Sequence, residues 1–192
     1  MKRIFISCAL FLCTISLSAQ TKMTAKEAAL KIADRILDST TYEFKNTKTG
    51  EVYKSVKKLP LSMDVKVACK YNNWHYTNGV TNIALMELAD KVGDKKYDKY
   101  VLKNMNFVFN EGNLDFFRRQ YDQAFKDGGW NAVRKLSWHM IFRGKRLDDN
   151  GPMGASLIEL QMRHPNEAFL SYVNETADHL NYAEPRLVDG TI

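Results

Sequence analysis

Apolar residues recur every three or four positions along most of this chain, which predicts a protein built from helices. Thr24-Ala25-Lys26-Glu27 reads as a capping box, and Ala25, Ala28, Ala29, Ile32, Ala33 and Ile36 then line one helical face. Between Thr40 and Met63 the pattern lapses into a polar, basic stretch holding Asn46, Gly50 and Pro60, read as an irregular loop. Helical spacing returns from Val80 to Val92, with Gly93 placed to end that helix. Asp94 opens the next, where Tyr97, Tyr100, Val101, Met105 and Val108 share a side, and Asn110 to Asn113 read as a turn. Two weaker helices, Phe116–Phe125 and Trp130–Phe142, flank Asp127-Gly128-Gly129. Asp149-Asn150-Gly151-Pro152 starts a helix carrying Met153, Ala155, Leu157, Ile158 and Leu160. Pro165 and Asn166 open the last, with Phe169, Tyr172, Val173 and Leu180.

No strand alternation stands out, so the expected class is all-α, with successive hairpins paired as in a helical solenoid or toroid. At least five helices are expected, two of them starting near Gly79 and near Gly151, with strands nearly absent. A sheet of three or more strands would sink this class and any family assignment built on it.

The first twenty residues follow a different rule. Lys2 and Arg3 precede an uncharged, apolar run from Ile4 to Leu17, and Ser18-Ala19-Gln20 supplies small residues for cleavage. This is the pattern of a secretory signal peptide, with the mature chain starting near Thr21. The run is shorter than the ~20 apolar residues of a membrane span, and neither Cys8 nor Cys13 follows a lipobox. A periplasmic or secreted protein is expected, with no membrane insertion after cleavage.

Export changes the composition that matters. Only Cys69 of the three cysteines remains, so stability must come from a core rather than an internal disulfide. Loss of Lys2 and Arg3 lowers the formal net charge from +6 to +4. So mild an excess does not argue for nucleic acid, and it suits an anionic small substrate.

Two clusters could carry chemistry. Trp74-His75-Tyr76-Thr77-Asn78-Gly79 precedes a helix, where aromatic rings can stack on a sugar and backbone donors can face an anion. Composition alone favours a plainer reading, with Trp74 and Tyr76 as core anchors and His75 a satisfied histidine. Leu147-Asp148-Asp149-Asn150-Gly151 also stands at a helix start. Spacing alone favours caps there, since neighbouring side chains diverge and carboxylates accept from free N–H groups. Elsewhere, His139, His164 and His179 lack metal-ligand spacing. No glycine-rich phosphate loop, serine elbow or cysteine nucleophile is seen.

In their order and helical setting these clusters resemble one family. Trp74-His75-Tyr76, Asn78-Gly79-Val80 and the helix closing at Gly93-Asp94-Lys95-Lys96-Tyr97 look like the start of the unsaturated glycuronyl hydrolases. These are glycoside hydrolase families 88 and 105, including the unsaturated rhamnogalacturonyl hydrolases. Leu147-Asp148-Asp149-Asn150-Gly151, followed by Gly154 and Ala155, is similar to that family's first aspartate motif. The resemblance runs from about Tyr71 to the end of the chain.

The resemblance implies an (α/α)6 toroid and an oligosaccharide substrate ending in a C4=C5 unsaturated uronic acid. The implied reaction is hydration of the vinyl ether, with no metal or organic cofactor. Asp148 matches the aspartate that positions sugar and water, and Tyr76 an aromatic beside the sugar. Trp74 and His75 belong to the same motif, and Asp149 neighbours the aspartate. The segment between Phe109 and Asp148 is longer than the family pattern. The family's second aspartate, followed by Tyr-Met or Phe-Met, has no match after Asp149. About seven helices are read here against the twelve of a closed toroid. Residues 21–192 are therefore expected to be the N-terminal part of a longer enzyme and inactive alone. Two other readings stay open: an α/α-toroid polysaccharide lyase using His75 and Tyr76 as base and acid, and a non-catalytic helical carbohydrate-binding or scaffold domain. The oligomeric state is not legible.

Overall fold

The computed structural model describes residues 23–143, 147–183 and 185–191, without the side chains of residues 147–149. The expected signal peptide lies outside these residues.

The chain is mostly helical. Its first helix, α1 (Ala25–Ser39), starts as predicted. Thr24 Oγ1 accepts from the Glu27 N–H at 3.2 Å, and Glu27 Oε2 accepts from the Thr24 N–H at 2.8 Å. The second bond holds the Glu27 carboxyl below its ordinary range.

The stretch read as an irregular loop is a correction. Phe44–Asn46 (β1), Val52–Tyr53 (β2) and, just beyond it, Val65–Val67 (β3) form an antiparallel sheet in the order β2-β1-β3. Asn46 Oδ1 accepts from the N–H groups of Lys48 and Thr49, and Gly50 adopts φ 77°, closing the β1–β2 turn. Phe44 is buried against Phe107, Phe116 and Phe117, which fixes which face of β1 turns inward. Strands of three, two and three residues are too short to display a period of two, so the pattern could not reveal them. Three strands meet the condition set against an all-α class, and the sheet weighs against that class and against the resemblance that implied a toroid. The helical majority stands.

Five further α-helices are described: α2 (Tyr76–Val92), α3 (Lys96–Val108), α4 (Glu111–Val133), α5 (Leu147–Arg163) and α6 (Glu167–Asp178). Gly93 ends α2 in the left-handed conformation at φ 70°, as its position predicts. Asn110 to Asn113, read as a turn, instead open α4: Asn110 caps it through its side chain, accepting from Asn113 N–H at 3.4 Å. The path of α4 breaks at Gly129 (φ 57°, ψ −148°). The second weak helix is a correction too. Helical structure after Trp130 lasts only to Val133, and His139–Phe142 is a single 3-10 turn.

Two helical hairpins, α2/α3 and α5/α6, form the body. Near one end, a Cβ built on Gly79 would lie 2.4 Å from the Pro152 carbonyl carbon, so α2 and α5 touch backbone to backbone. Near the other end, Arg163 donates to Asp90 at 2.8 Å. The start of α2 thus meets the start of α5, and end meets end: the leading helices of the two hairpins run parallel. Met86, Val101, Met105, Met153, Leu157, Leu160 and Phe169 fill the space between the helices. Each such side chain stabilises the fold by about 1.5–3 kcal/mol relative to exposure. On the far side of α5, Ile158 and Met162 are 47% and 76% exposed. Among the described residues, no helix is long and apolar enough to cross a membrane.

Candidate functional site

The parallel arrangement brings the two sequence clusters to one end of the body. Trp74 is 1% exposed and donates its indole N–H to Asn150 Oδ1 at 3.0 Å. Its ring meets Tyr172 edge-on with centroids 5.0 Å apart. It therefore ties the loop before α2 to the first turn of α5, a positioning role rather than a stacking one.

His75 and Tyr76 behave differently. His75 is exposed and caps α2, its Nδ1 accepting from the Thr77 N–H at 3.3 Å. Its ring lies against Tyr76 with centroids 4.7 Å apart. Tyr76 is 47% exposed, so the pair presents two aromatic faces to solvent. The core reading thus holds for Trp74 and fails for Tyr76. Asp148 and Asp149 occupy the first turn of α5 by their backbone, and their side chains lie outside the described residues.

Asparagines hold this loop in place, and the sequence reading missed most of them. Asn78, buried in α2, donates to the carbonyls of Lys70 and Asn73, both at 2.9 Å. Asn73 Oδ1 accepts from the backbone N–H groups of Trp74 and Trp138, the latter at 2.7 Å. Asn72 donates to the Thr41 carbonyl at 3.1 Å. The signal was present as Asn72-Asn73 followed by Asn78, since amides so close to a buried tryptophan are well suited to satisfying loop backbone. Trp138 also escaped notice. It is buried in the left-handed region at φ 61°, a costly conformation for a residue with a Cβ.

Three buried polar atoms around this loop have no hydrogen-bond partner among the described residues: Asn72 Oδ1, Trp138 Nε1 and Asn150 Nδ2. Leaving a buried donor or acceptor unpaired costs about 1–3 kcal/mol. Backbone strain and unpaired buried groups gathered at one place mark it as a candidate site rather than a plain core.

No protein-family model and no curated protein matches the chain.

Beside Asn150 opens a cavity of 570 Å³ between α5, α6 and the 3-10 turn. Small residues of α5, namely Gly151, Gly154 and Ala155, line one wall, with Tyr172 and Thr176 of α6 opposite. Burial raises the Tyr172 hydroxyl above its ordinary value, so it stays protonated and donates to the Ile141 carbonyl at 3.3 Å. Neither His75 nor Tyr76 lines this cavity. Asn150 belongs to both places: its oxygen holds the aromatic loop, and its residue lines the cavity wall.

Proposed function

We propose that this chain carries the first half of the site of a glycoside hydrolase. Its substrate is an oligosaccharide ending in a C4=C5 unsaturated uronic acid, and its fold is part of an (α/α)6 toroid. One observation carries the reading. The Trp74–Asn150 hydrogen bond at 3.0 Å joins two motifs 76 residues apart, at the common end of two parallel helices. Parallel leading helices of successive hairpins are what a helical toroid or solenoid repeats. The sheet weighs against this reading. Its strands of three, two and three residues precede the site loop and leave both hairpins whole.

In this reading the reaction begins with proton transfer to C4, which develops positive charge at C5 and the ring oxygen. Water adds at C5, and the hemiketal so formed opens and releases the next sugar. Tyr76 lies beside the sugar ring with His75 against it, and Trp74 holds both in register with α5. Asp148 positions sugar and water. The general acid in this reading is a second aspartate, for which the residues after Asp149 offer no match. Charge stabilisation and acid catalysis of this kind each contribute about a hundredfold or more.

The test is loss of the C4=C5 ultraviolet absorbance of an unsaturated uronyl disaccharide. A polypeptide extending through the second aspartate is expected to consume it, and Asp148→Asn to lower the rate by about a hundredfold or more. Residues 21–192 are expected to bind the disaccharide without consuming it. An Asp148→Asn rate equal to the parent's removes the reading.

A further inference from the structure

The net charge of this protein is concentrated in one place. Seven lysines stand against Glu43, Glu51 and Asp64 between residues 43 and 70, an excess of four. The whole chain carries +6, of which Lys2 and Arg3 supply two, so this short stretch accounts for the entire excess of the remainder. The stretch is the sheet and its connections.

Two of its three acids are engaged within the stretch itself. Asp64 pairs with Lys48 at 3.0 Å, and Glu51 accepts from the Tyr53 hydroxyl at 2.7 Å. Lys45, Lys54, Lys57 and Lys58 are exposed and form no ion pair among the described residues. On β1, Lys45 stands directly opposite Lys66 of β3 on one side and the exposed Val52 of β2 on the other. Like charges directly opposite on neighbouring strands destabilise a sheet. Nothing in the packing requires them: the inward face is already supplied by Phe44, Val65 and Val67.

We infer that the outer face of the β2-β1-β3 sheet, with the Lys54–Lys58 segment beside it, is a docking surface for a carboxylated polysaccharide chain. The ligand chemistry follows from the surface. Point charges on flexible stems, spread over strands about 4.8 Å apart, suit hydrated carboxylates repeated along a polymer. Single-stranded nucleic acid needs exposed rings on which bases stack. Phe44 is buried, and Tyr53 is half-buried with its hydroxyl held by Glu51. A membrane surface is met by long amphipathic helices, whereas the elements here have two or three residues. The surface also leads to the aromatic loop: β3 runs on to Lys70, whose carbonyl accepts from Asn78 Nδ2 of α2 at 2.9 Å. This surface is separate from the proposed catalytic groups and stands whether or not the hydrolase reading does.

Affinity electrophoresis of the purified protein through polygalacturonate tests it, with the fully methyl-esterified form of the same polymer as the neutral control. Retardation by the carboxylated polymer is expected, weakening as salt rises, with none by the ester. The variant Lys45→Gln/Lys54→Gln/Lys57→Gln/Lys58→Gln is expected to raise Kd by about tenfold or more at a Tm no lower than the parent's, because four attractive charges are gone and the repulsion between Lys45 and Lys66 goes with them. Equal retardation by both polymers, or an unchanged Kd in the fourfold variant, overturns the inference. So does tighter binding to phosphatidylglycerol vesicles or single-stranded DNA than to polygalacturonate.

Discussion

Trp74 and Asn150 are joined by an indole N–H···O bond of 3.0 Å, in a place where both side chains are buried. The bond links the loop before α2 to the first turn of α5, so the aromatic pair His75–Tyr76 and the backbone of Asp148 share one end of the molecule. Trp74→Phe keeps most of the ring but leaves Asn150 Oδ1 without its donor. A loss of about 1–3 kcal/mol in urea unfolding is expected, and a change near zero means the bond contributes nothing net.

Trp74 and Tyr76 are two residues apart and should respond oppositely. Trp74→Ala empties a buried volume and is expected to cost about 3–5 kcal/mol. Tyr76→Ala, at a site 47% exposed, is expected to stay within about 1 kcal/mol of the parent while weakening binding of the unsaturated disaccharide. Calorimetric Tm and titration of the disaccharide separate the two effects.

Gly79→Ala tests the closeness of the two leading helices. The new methyl would meet the Pro152 carbonyl carbon at 2.4 Å and the Met153 nitrogen at 2.5 Å, both backbone atoms that cannot swing away. Overpacking of this kind is expected to cost about 1–3 kcal/mol or more. Gly151→Ala meets nothing within 4 Å and should instead stabilise α5, by up to about 1 kcal/mol. Equal responses in thermal unfolding would mean that α2 and α5 are not in backbone contact.

Acid should weaken two tertiary ion pairs. A hydrogen bond from Lys96 holds the Asp34 carboxyl below its ordinary value, and one from Arg163 does the same for Asp90. A depressed carboxylate contributes stability that is present above its unfolded value of about 3.9 and is lost as pH falls through the folded value. Both groups are well exposed, at 46% and 59%, so each effect is small and screened by salt. Tm is expected to fall below about pH 4, less steeply in Asp34→Asn/Asp90→Asn, with the difference shrinking at high salt. Parallel pH profiles for parent and variant would show that these pairs do not contribute.

The sequence by itself determined the helical majority, because periodicity is written locally. The capping box at Thr24 and the left-handed stop at Gly93 each act within a few residues. It also marked the two clusters of the candidate site, through aromatic and acidic residues at helix starts. Three things were decided only in three dimensions. The sheet exists because Phe44, Val65 and Val67 find a buried partner surface, including Phe116 and Phe117 of α4, and strands this short carry no period of their own. The helix after Trp130 stops at Val133 because Trp138 is held by Asn73 in a left-handed turn that local propensity opposes. The roles of Trp74 and Tyr76 were indistinguishable as neighbouring aromatics. Packing of α5 against α2 buried the first and left the second in solvent, because only the first has a hydrogen-bond acceptor, Asn150, waiting on the opposing helix.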